Sequence, residues 1–291
     1  DAGIAIPPAT PPAPDAGAAD SGTTPAPDTI RPDPGFSANP TLPLPRGPCP
    51  AIETGEQRFA NMRVRLWVGP LAPSPNAPLL LYYFGTGSSP AEVETMLGDT
   101  LTGILDLGGI VAAPTDTLGV GSDVGPGTWF TGDADIADEI VACVNAQRAL
   151  DPRRIYTAGC SAGGLMAGAL TYLRSRYIAA AMLNSGGSLL EPTLEEPGHV
   201  PAVIAAHGRE GYDLVIVDYA KLSLGYTEKL AAQGGFAVDC DHGGGHCGVP
   251  AAMREAQWQF LMEHPFAILP SPYANGLPTS FPRACRVLPT P

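Results

Sequence analysis

"YTAGCSAGGLMAGAL", residues 157–171, sets a single serine in a nest of glycine and alanine. "GCSAG" fits G-x-S-x-G at Gly159, Ser161 and Gly163. The pattern recurs by chance, but here it stands in the context its chemistry requires. "RRIYTAG" (153–159) reads as a strand and "SAGGLMAGALTYLRSR" (161–176) as a helix. A serine exposed on a strand-to-helix turn needs a tight, strained backbone, and large flanking side chains would strike the neighbouring strand and helix. Ala162, Gly163 and Gly164 supply the smallness. The competing reading is a small-residue helix start with Ser161 as a plain N-cap; the strand directly before it weighs against that.

Outward from this turn, strands and helices alternate. "MRVRLWVG" (62–69) alternates like a half-buried strand, and "APLLLYYFG" (77–85) reads as a fully buried one. "SPAEVETMLGDTLTGIL" (89–105) opens with a cap residue and a proline at the first helical position. "GGIVAAP" (108–114) is a strand, and "DADIADEIVACVNAQRAL" (133–150) an amphipathic helix with acids in its first turn. "IAAAMLNSG" (178–186), "VPAVIAAHG" (200–208) and "GFAVDC" (235–240) read as strands. Helices are expected at 217–234, weakened by Gly225, and at 250–264. The alternation predicts an α/β fold: a mainly parallel sheet with helices on both faces. Too few residues separate the strands ending near 186 and starting near 200 for a helical lid, so the site is expected to be open.

Composition sets bounds on the rest. The first 50 residues hold 14 of the 33 prolines, and residues 1–47 have few large apolar side chains and no period of 2 or 3.6. They read as a disordered tether, with residues 48–291 as the catalytic domain. A net charge of −13 with two lysines, Lys221 and Lys229, argues against nucleic acid as a partner. No apolar run approaches the roughly 20 residues of a membrane helix. No G-x-G-x-x-G lies at a strand-to-helix turn, so no dinucleotide cofactor is indicated. Six cysteines without C-x-x-C spacing, behind a Pro-rich spacer on a chain opening at Asp1, suit an exported protein with disulfides.

A serine nucleophile needs a base, an orienting acid and donors for an oxyanion. In this architecture their chain order is Ser, acid, His. After the last buried strand comes "CDHGGGHCG" (240–248), which offers His242 and His246; His199 precedes a strand and His264 ends a helix. Asp213, five residues past "VPAVIAAHG", is the favoured acid over Glu210 and Asp218, the latter reading as a helix cap. The oxyanion donors expected are the backbone N–H groups of Ala162 and of the loop after "LLLYYFG", at Thr86 or Gly87. Trp129 and Phe130 in "GPGTWFTGD" are candidates for an aromatic substrate platform, with plain loop packing as the alternative. A zinc site at Asp241, His242 and His246 is disfavoured, because three glycines destroy the helix that would align the histidines.

Cys160 precedes Ser161, and Cys247 follows His246. If Ser161 and His246 meet, a Cys160–Cys247 bridge is sterically open to them, and it favours His246 over His242. A buried, inert thiol is the alternative for Cys160. Cys49 and Cys285 flank the core, so their pairing would staple its two ends and leave Cys143 with Cys240.

"YYFGTGSSPAE", "DPRRIYTAGCSAGGLMA" and "GGFAVDCDHGGGHCG" resemble the secreted α/β-hydrolase esterases of the polyhydroxybutyrate depolymerase and feruloyl esterase type, over roughly residues 60–265. The CS…D…HC arrangement also resembles the tannase group, in which a disulfide joins the cysteines beside Ser and His. The resemblance implies an α/β-hydrolase fold without a sizeable lid, a Ser161–Asp213–His246 triad, a Cys160–Cys247 bridge, no cofactor, and an ester substrate. That substrate would be a polyhydroxyalkanoate, another polyester, or a feruloyl or acetyl ester of plant polysaccharide. The family's usual His-Gly ahead of the oxyanion loop is Phe84-Gly85 here. A tethered binding protein that keeps the fold without the chemistry is the competing class.

Overall fold

Five strands whose residues are buried throughout define the centre of the protein in its computed structural model. The structure describes residues 39–70, 76–117, 128–189 and 193–290. Apolar residues on both faces of a strand need cover on both sides, and a parallel sheet between helices provides it.

The strands are β1 (Gly55–Phe59), β2 (Met62–Val68), β3 (Leu79–Tyr83), β4 (Ile110–Pro114), β5 (Ile155–Cys160), β6 (Ala180–Asn184), β7 (Ala202–His207), β8 (Ala237–Asp241) and β9 (Cys285–Val287). They form one sheet in the order β1-β2-β4-β3-β5-β6-β7-β8-β9. From β4 to β8 all neighbours run parallel; β1, β2 and β9 are antiparallel additions at the edges. The helices are α1 (Glu92–Leu97), α2 (Asp99–Asp106), α3 (Ala134–Gln147), α4 (Ala162–Leu173), α5 (Tyr219–Ala232) and α6 (Ala251–Glu263).

Strand order reverses at β3, since β4 lies on one side of it and β5 on the other. Right-handed crossovers then place α1 and α2 on one face and α3, α4 and α5 on the other. α6 returns to pack beside α2. Ligands of open α/β sheets bind at such a reversal, outside the carboxyl ends of the strands. Ser161 follows the carboxyl end of β5, beside the reversal.

Several expectations need correction. The helix expected over 89–105 is two, because Gly98 takes φ 52° and ψ −128° between α1 and α2, a conformation glycine tolerates without a Cβ penalty. Gly225 does not interrupt α5, which runs unbroken and is capped by the Asp218 side chain accepting from Lys221 N–H. The edge strands β1 and β9 carry too little apolar alternation to be read from sequence. Of the expected tether, residues 1–38 lie outside the described residues. Residues 39–47 lie along the domain: Thr41 N–H donates to Arg176 O (2.9 Å), Leu42 packs on the core, and Arg46 pairs with Asp135 and Asp138 (3.3 and 3.4 Å). Between β6 and β7 the described residues hold no helix.

The cysteine pairing is also corrected in part. Cys160–Cys247 is a disulfide, but the other two are Cys49–Cys143 and Cys240–Cys285. The unread strand β9 is the reason for the last, since it pairs with β8 in a register that sets Cys285 opposite Cys240. Cys49 then meets α3 at Cys143 and pins the N-terminal segment to that helix.

Candidate active site

Ser161 sits at the apex of the β5–α4 turn with φ 57° and ψ −124°. A non-glycine residue in this region costs of order 1–3 kcal/mol and persists only where its surroundings enforce it. The flanking glycines permit the turn. A Cβ at Gly163 would overlap the Tyr83 carbonyl, and one at Gly159 the Gly163 carbonyl. The strand, the turn and the helix start thus touch backbone to backbone. Ser161 N–H donates to Asn184 O on β6 (3.0 Å), which ties the apex to the sheet.

His246 and Asp213 come together from two different loops. His246 Nδ1–H donates to Asp213 Oδ1 at 2.7 Å. Asp213 is fully buried and accepts two further bonds at Oδ2, from Gly208 N–H (2.9 Å) and from Ser185 Oγ (2.7 Å). Burial pushes the Asp213 carboxyl up, but the hydrogen bonds from His246, Gly208 and Ser185 outweigh it and hold the group below the usual carboxylate range. With Nδ1 committed to the carboxylate, the free ring nitrogen of the neutral imidazole is Nε2, the tautomer a general base requires.

The histidine loop is fastened beside the serine turn. The Cys160–Cys247 disulfide joins the residue before Ser161 to the residue after His246, with 6.0 Å between Cα atoms. Cys247 N–H donates to Ser185 Oγ (2.9 Å), so one buried hydroxyl holds both the disulfide loop and the carboxylate. Tyr219, at the start of α5, bridges the remaining gap. Its OH lies 3.4 Å from Ser161 Oγ, and its ring packs on His246 with centroids 4.6 Å apart. Sequence reading missed both Ser185 and Tyr219; "NSGG" at a strand end and "VDYAK" at a helix start carry no recognisable spacing.

His242 makes its hydrogen bonds elsewhere. Its N–H donates to His207 O (3.0 Å), its Nδ1 accepts from Gly244 N–H (3.2 Å), and its Nε2 is buried without a hydrogen-bond partner among the described residues.

The loop after β3 lies against the nucleophile turn. A Cβ at Gly85 would come within 3.3 Å of Ser161 Cβ. Gly85 N–H is already committed to the Glu92 carboxylate (3.2 and 3.3 Å), which also accepts from Tyr82 OH (2.8 Å). Gly85 O accepts from Ser88 N–H (3.0 Å), and Gly87 has φ 78°, as the third residue of a type II turn requires. Thr86, exposed at the tip of this turn, is hydrogen-bonded through its hydroxyl to Thr128 (2.8 Å). Ala162 opens α4, so its N–H is among those at a helix start that have no intrahelical acceptor.

Of the two readings of Trp129, its surroundings favour loop packing. It is fully buried, donates from Nε1 to Phe84 O (2.9 Å), and packs edge-on against Tyr83 and Phe84 at 5.1 and 5.0 Å. The indole therefore buttresses the loop after β3 from behind. Phe130 is half-buried and lies against Gly132, where a Cβ would come within 2.5 Å of its ring.

No family model matches the chain, and no curated protein does. Among solved structures, native pOPH is similar at 20% identity and TM-score 0.66, over 86% of this chain and 98% of that one. A pOPH serine-to-alanine variant in complex with pNPB matches at 18% identity and TM-score 0.67, over 86% and 97% of the two chains. Native sOPH matches at 17% identity and TM-score 0.63, over 85% and 97%. Identity at this level speaks for architecture alone, and together with the strand order and the serine turn it gives this chain the α/β-hydrolase fold.

Proposed function

We propose that the protein is a serine carboxylester hydrolase that works through a covalent acyl-enzyme on polymeric or bulky esters. The observation that carries this reading is the bond from His246 Nδ1 to a buried, ionised Asp213, in a loop disulfide-linked to the strained turn at Ser161. His246 Nε2 takes the Ser161 hydroxyl proton as Oγ attacks the ester carbonyl. Asp213 orients the ring and stabilises its cation. The N–H groups of Ala162 and Thr86 stabilise the oxyanion. Collapse of the tetrahedral intermediate expels the alcohol, which takes the proton from His246. Water, deprotonated by His246, then attacks the acyl carbonyl and releases the acid and free Ser161.

Three disulfides suit an oxidising compartment, and on that ground we place the protein outside the cytoplasm. No helix among the described residues is long and apolar enough to cross a membrane. The domain division, with a Pro-rich tether ahead of the catalytic domain, belongs to the same proposal.

The test is hydrolysis of a short-chain p-nitrophenyl ester by wild type and Ser161→Ala. A folded mutant slower by about a thousandfold or more supports the reading. An inactive wild type, or a mutant as fast as wild type, overturns it in favour of a non-catalytic binding protein.

A further inference from the structure

Tyr219 touches Ser161, Asp213 and His246 alike. Its backbone N–H donates to Asp213 O (2.9 Å) at the start of α5, where the Asp218 side chain caps the helix. Its ring packs on His246, with centroids 4.6 Å apart and planes at 48°. Its hydroxyl lies 3.4 Å from Ser161 Oγ. The side chain is buried in the main core, so backbone and ring together fix where the phenol points. Two other buried tyrosines, Tyr82 and Tyr177, donate to carboxylates at 2.8 and 3.0 Å. Tyr219 has no such acceptor: among the described residues its hydroxyl bonds Ser161 Oγ alone. Among those residues, too, Oγ bonds Tyr219 and makes no hydrogen bond to His246.

The direction of this bond follows from acidity. A phenol is a stronger acid than an aliphatic alcohol, so Tyr219 donates and Oγ accepts. That direction leaves the Ser161 proton free for His246 Nε2, whereas the reverse would spend it on the phenol oxygen. The strength of the bond then changes along the reaction. Oγ is a neutral alcohol at rest and gains negative charge as His246 removes its proton. In the acyl-enzyme it is the bridging oxygen of an ester, a poor acceptor. When the second tetrahedral intermediate collapses, Oγ leaves with the electron pair of its bond to the acyl carbon and is charged again. Bonds to a charged oxygen are shorter and roughly twice as strong as neutral ones. A contact accelerates a step only by what it gains between ground state and transition state. From the free enzyme the gain is partial, because the bond already exists; from the acyl-enzyme it is whole.

We infer that Tyr219 is a catalytic residue whose hydroxyl donates to Ser161 Oγ and speeds chiefly the second half-reaction, release of the serine from the acyl-enzyme; this rests on the esterase reading above. The phenol keeps its own proton throughout. The bond from the acyl carbon to Oγ breaks, its electron pair goes to Oγ, and His246 supplies Oγ with the proton it took from water.

The experiment compares the full wild-type chain with Tyr219→Phe, after melting curves establish that both fold. Phenylalanine keeps a ring on His246 and removes only the oxygen. Stopped-flow release of p-nitrophenol from p-nitrophenyl acetate separates acylation from deacylation. We expect kcat to fall about tenfold to a hundredfold and kcat/KM by no more than about threefold, so that KM falls with kcat. A burst near one p-nitrophenol per enzyme should appear, and mass spectrometry after acid quenching should find a larger acetylated fraction at Ser161 than in wild type. A kcat within about twofold of wild type overturns the inference. So does an equal fall in kcat and kcat/KM without a burst, the mark of a residue that only positions His246. An inactive wild type removes the esterase reading and the inference with it, whereas an active wild type matched by Tyr219→Phe removes the inference alone.

Discussion

Replacing Cys160 and Cys247 together by alanine tests how the histidine loop is held. The bridge closes a separation of 87 residues, and neither other disulfide shortcuts it. Chain-entropy reasoning assigns a cross-link of that span about 4–5 kcal/mol. In a domain of this size that lowers Tm by roughly 8–10 °C. The same reasoning assigns a similar loss to removal of Cys49–Cys143, whose separation is 94 residues and which lies at α3. The two double mutants should therefore melt alike and differ in catalysis. Without Cys160–Cys247 the glycine-rich loop at 242–248 keeps the His246–Asp213 bond, the Cys247–Ser185 bond and two backbone bonds to the end of β7 and the residues after it, from Arg209 N–H to Gly244 O and from His242 N–H to His207 O. Its position relative to Ser161 is then no longer covalently set. Small displacements of a general base are costly, so kcat/KM on a soluble ester should fall by about tenfold or more at 20 °C, where both proteins remain folded. The Cys49/Cys143 mutant should keep wild-type kcat/KM. Equal activity in the two mutants would refute a positioning role for the Cys160–Cys247 bridge.

Ser185→Ala keeps the Cβ, and with it the backbone at φ 45°, and removes the bonds to Asp213 and Cys247. A lost bond to a carboxylate and a stranded N–H together cost roughly 2–5 kcal/mol, and urea unfolding should register it along with a lower kcat; stability within 0.5 kcal/mol of wild type, on the order of an inconsequential substitution, would refute it. Gly163→Ala should yield no folded protein, because its Cβ meets the Tyr83 carbonyl, whereas Gly225→Ala, with nothing within 4 Å, should stabilise α5 by about 0.5–1 kcal/mol in the same assay. Burial lowers His199 and His264 to a pKa of about 4, despite the carbonyls of Ile178 and Phe260 that they contact. The unfolded chain takes up these protons below about pH 6.5 and the folded one does not, so stability falls on acidification, by about 2 kcal/mol per histidine at pH 5. His207 has the opposite sign. Burial lowers its pKa, but its bonds to Asp239 and Gly208 O outweigh that and raise it, so its contribution is complete below about pH 6.5 and is lost as pH climbs through the raised value. Stability measured against pH should accordingly peak near neutrality; a flat curve from pH 5 to 8 would contradict these assignments.

The serine turn was legible because its constraints are local: a buried strand, a serine and a run of small residues lie within fifteen positions of one another. The buried strands and most helices were legible for the same reason, since burial on both faces forces unbroken apolar runs such as "LLLYY". Chain order and the paired cysteines were enough to favour Asp213 and His246 as partners, and the structure brings those two side chains together. Tertiary structure decided what depends on contacts between distant segments. Trp129 reads as either a substrate platform or loop packing until the fold closes Tyr83 and Phe84 around it. The pairing of Cys285 with Cys240 follows from the register of a three-residue edge strand too short to leave a pattern. Ser185 and Tyr219 reach the site from β6 and α5, where a serine and a tyrosine look like any others. Local sequence specifies which way a chain can turn; which hydroxyl then meets which carboxylate is set by how strands far apart in the chain are stacked side by side.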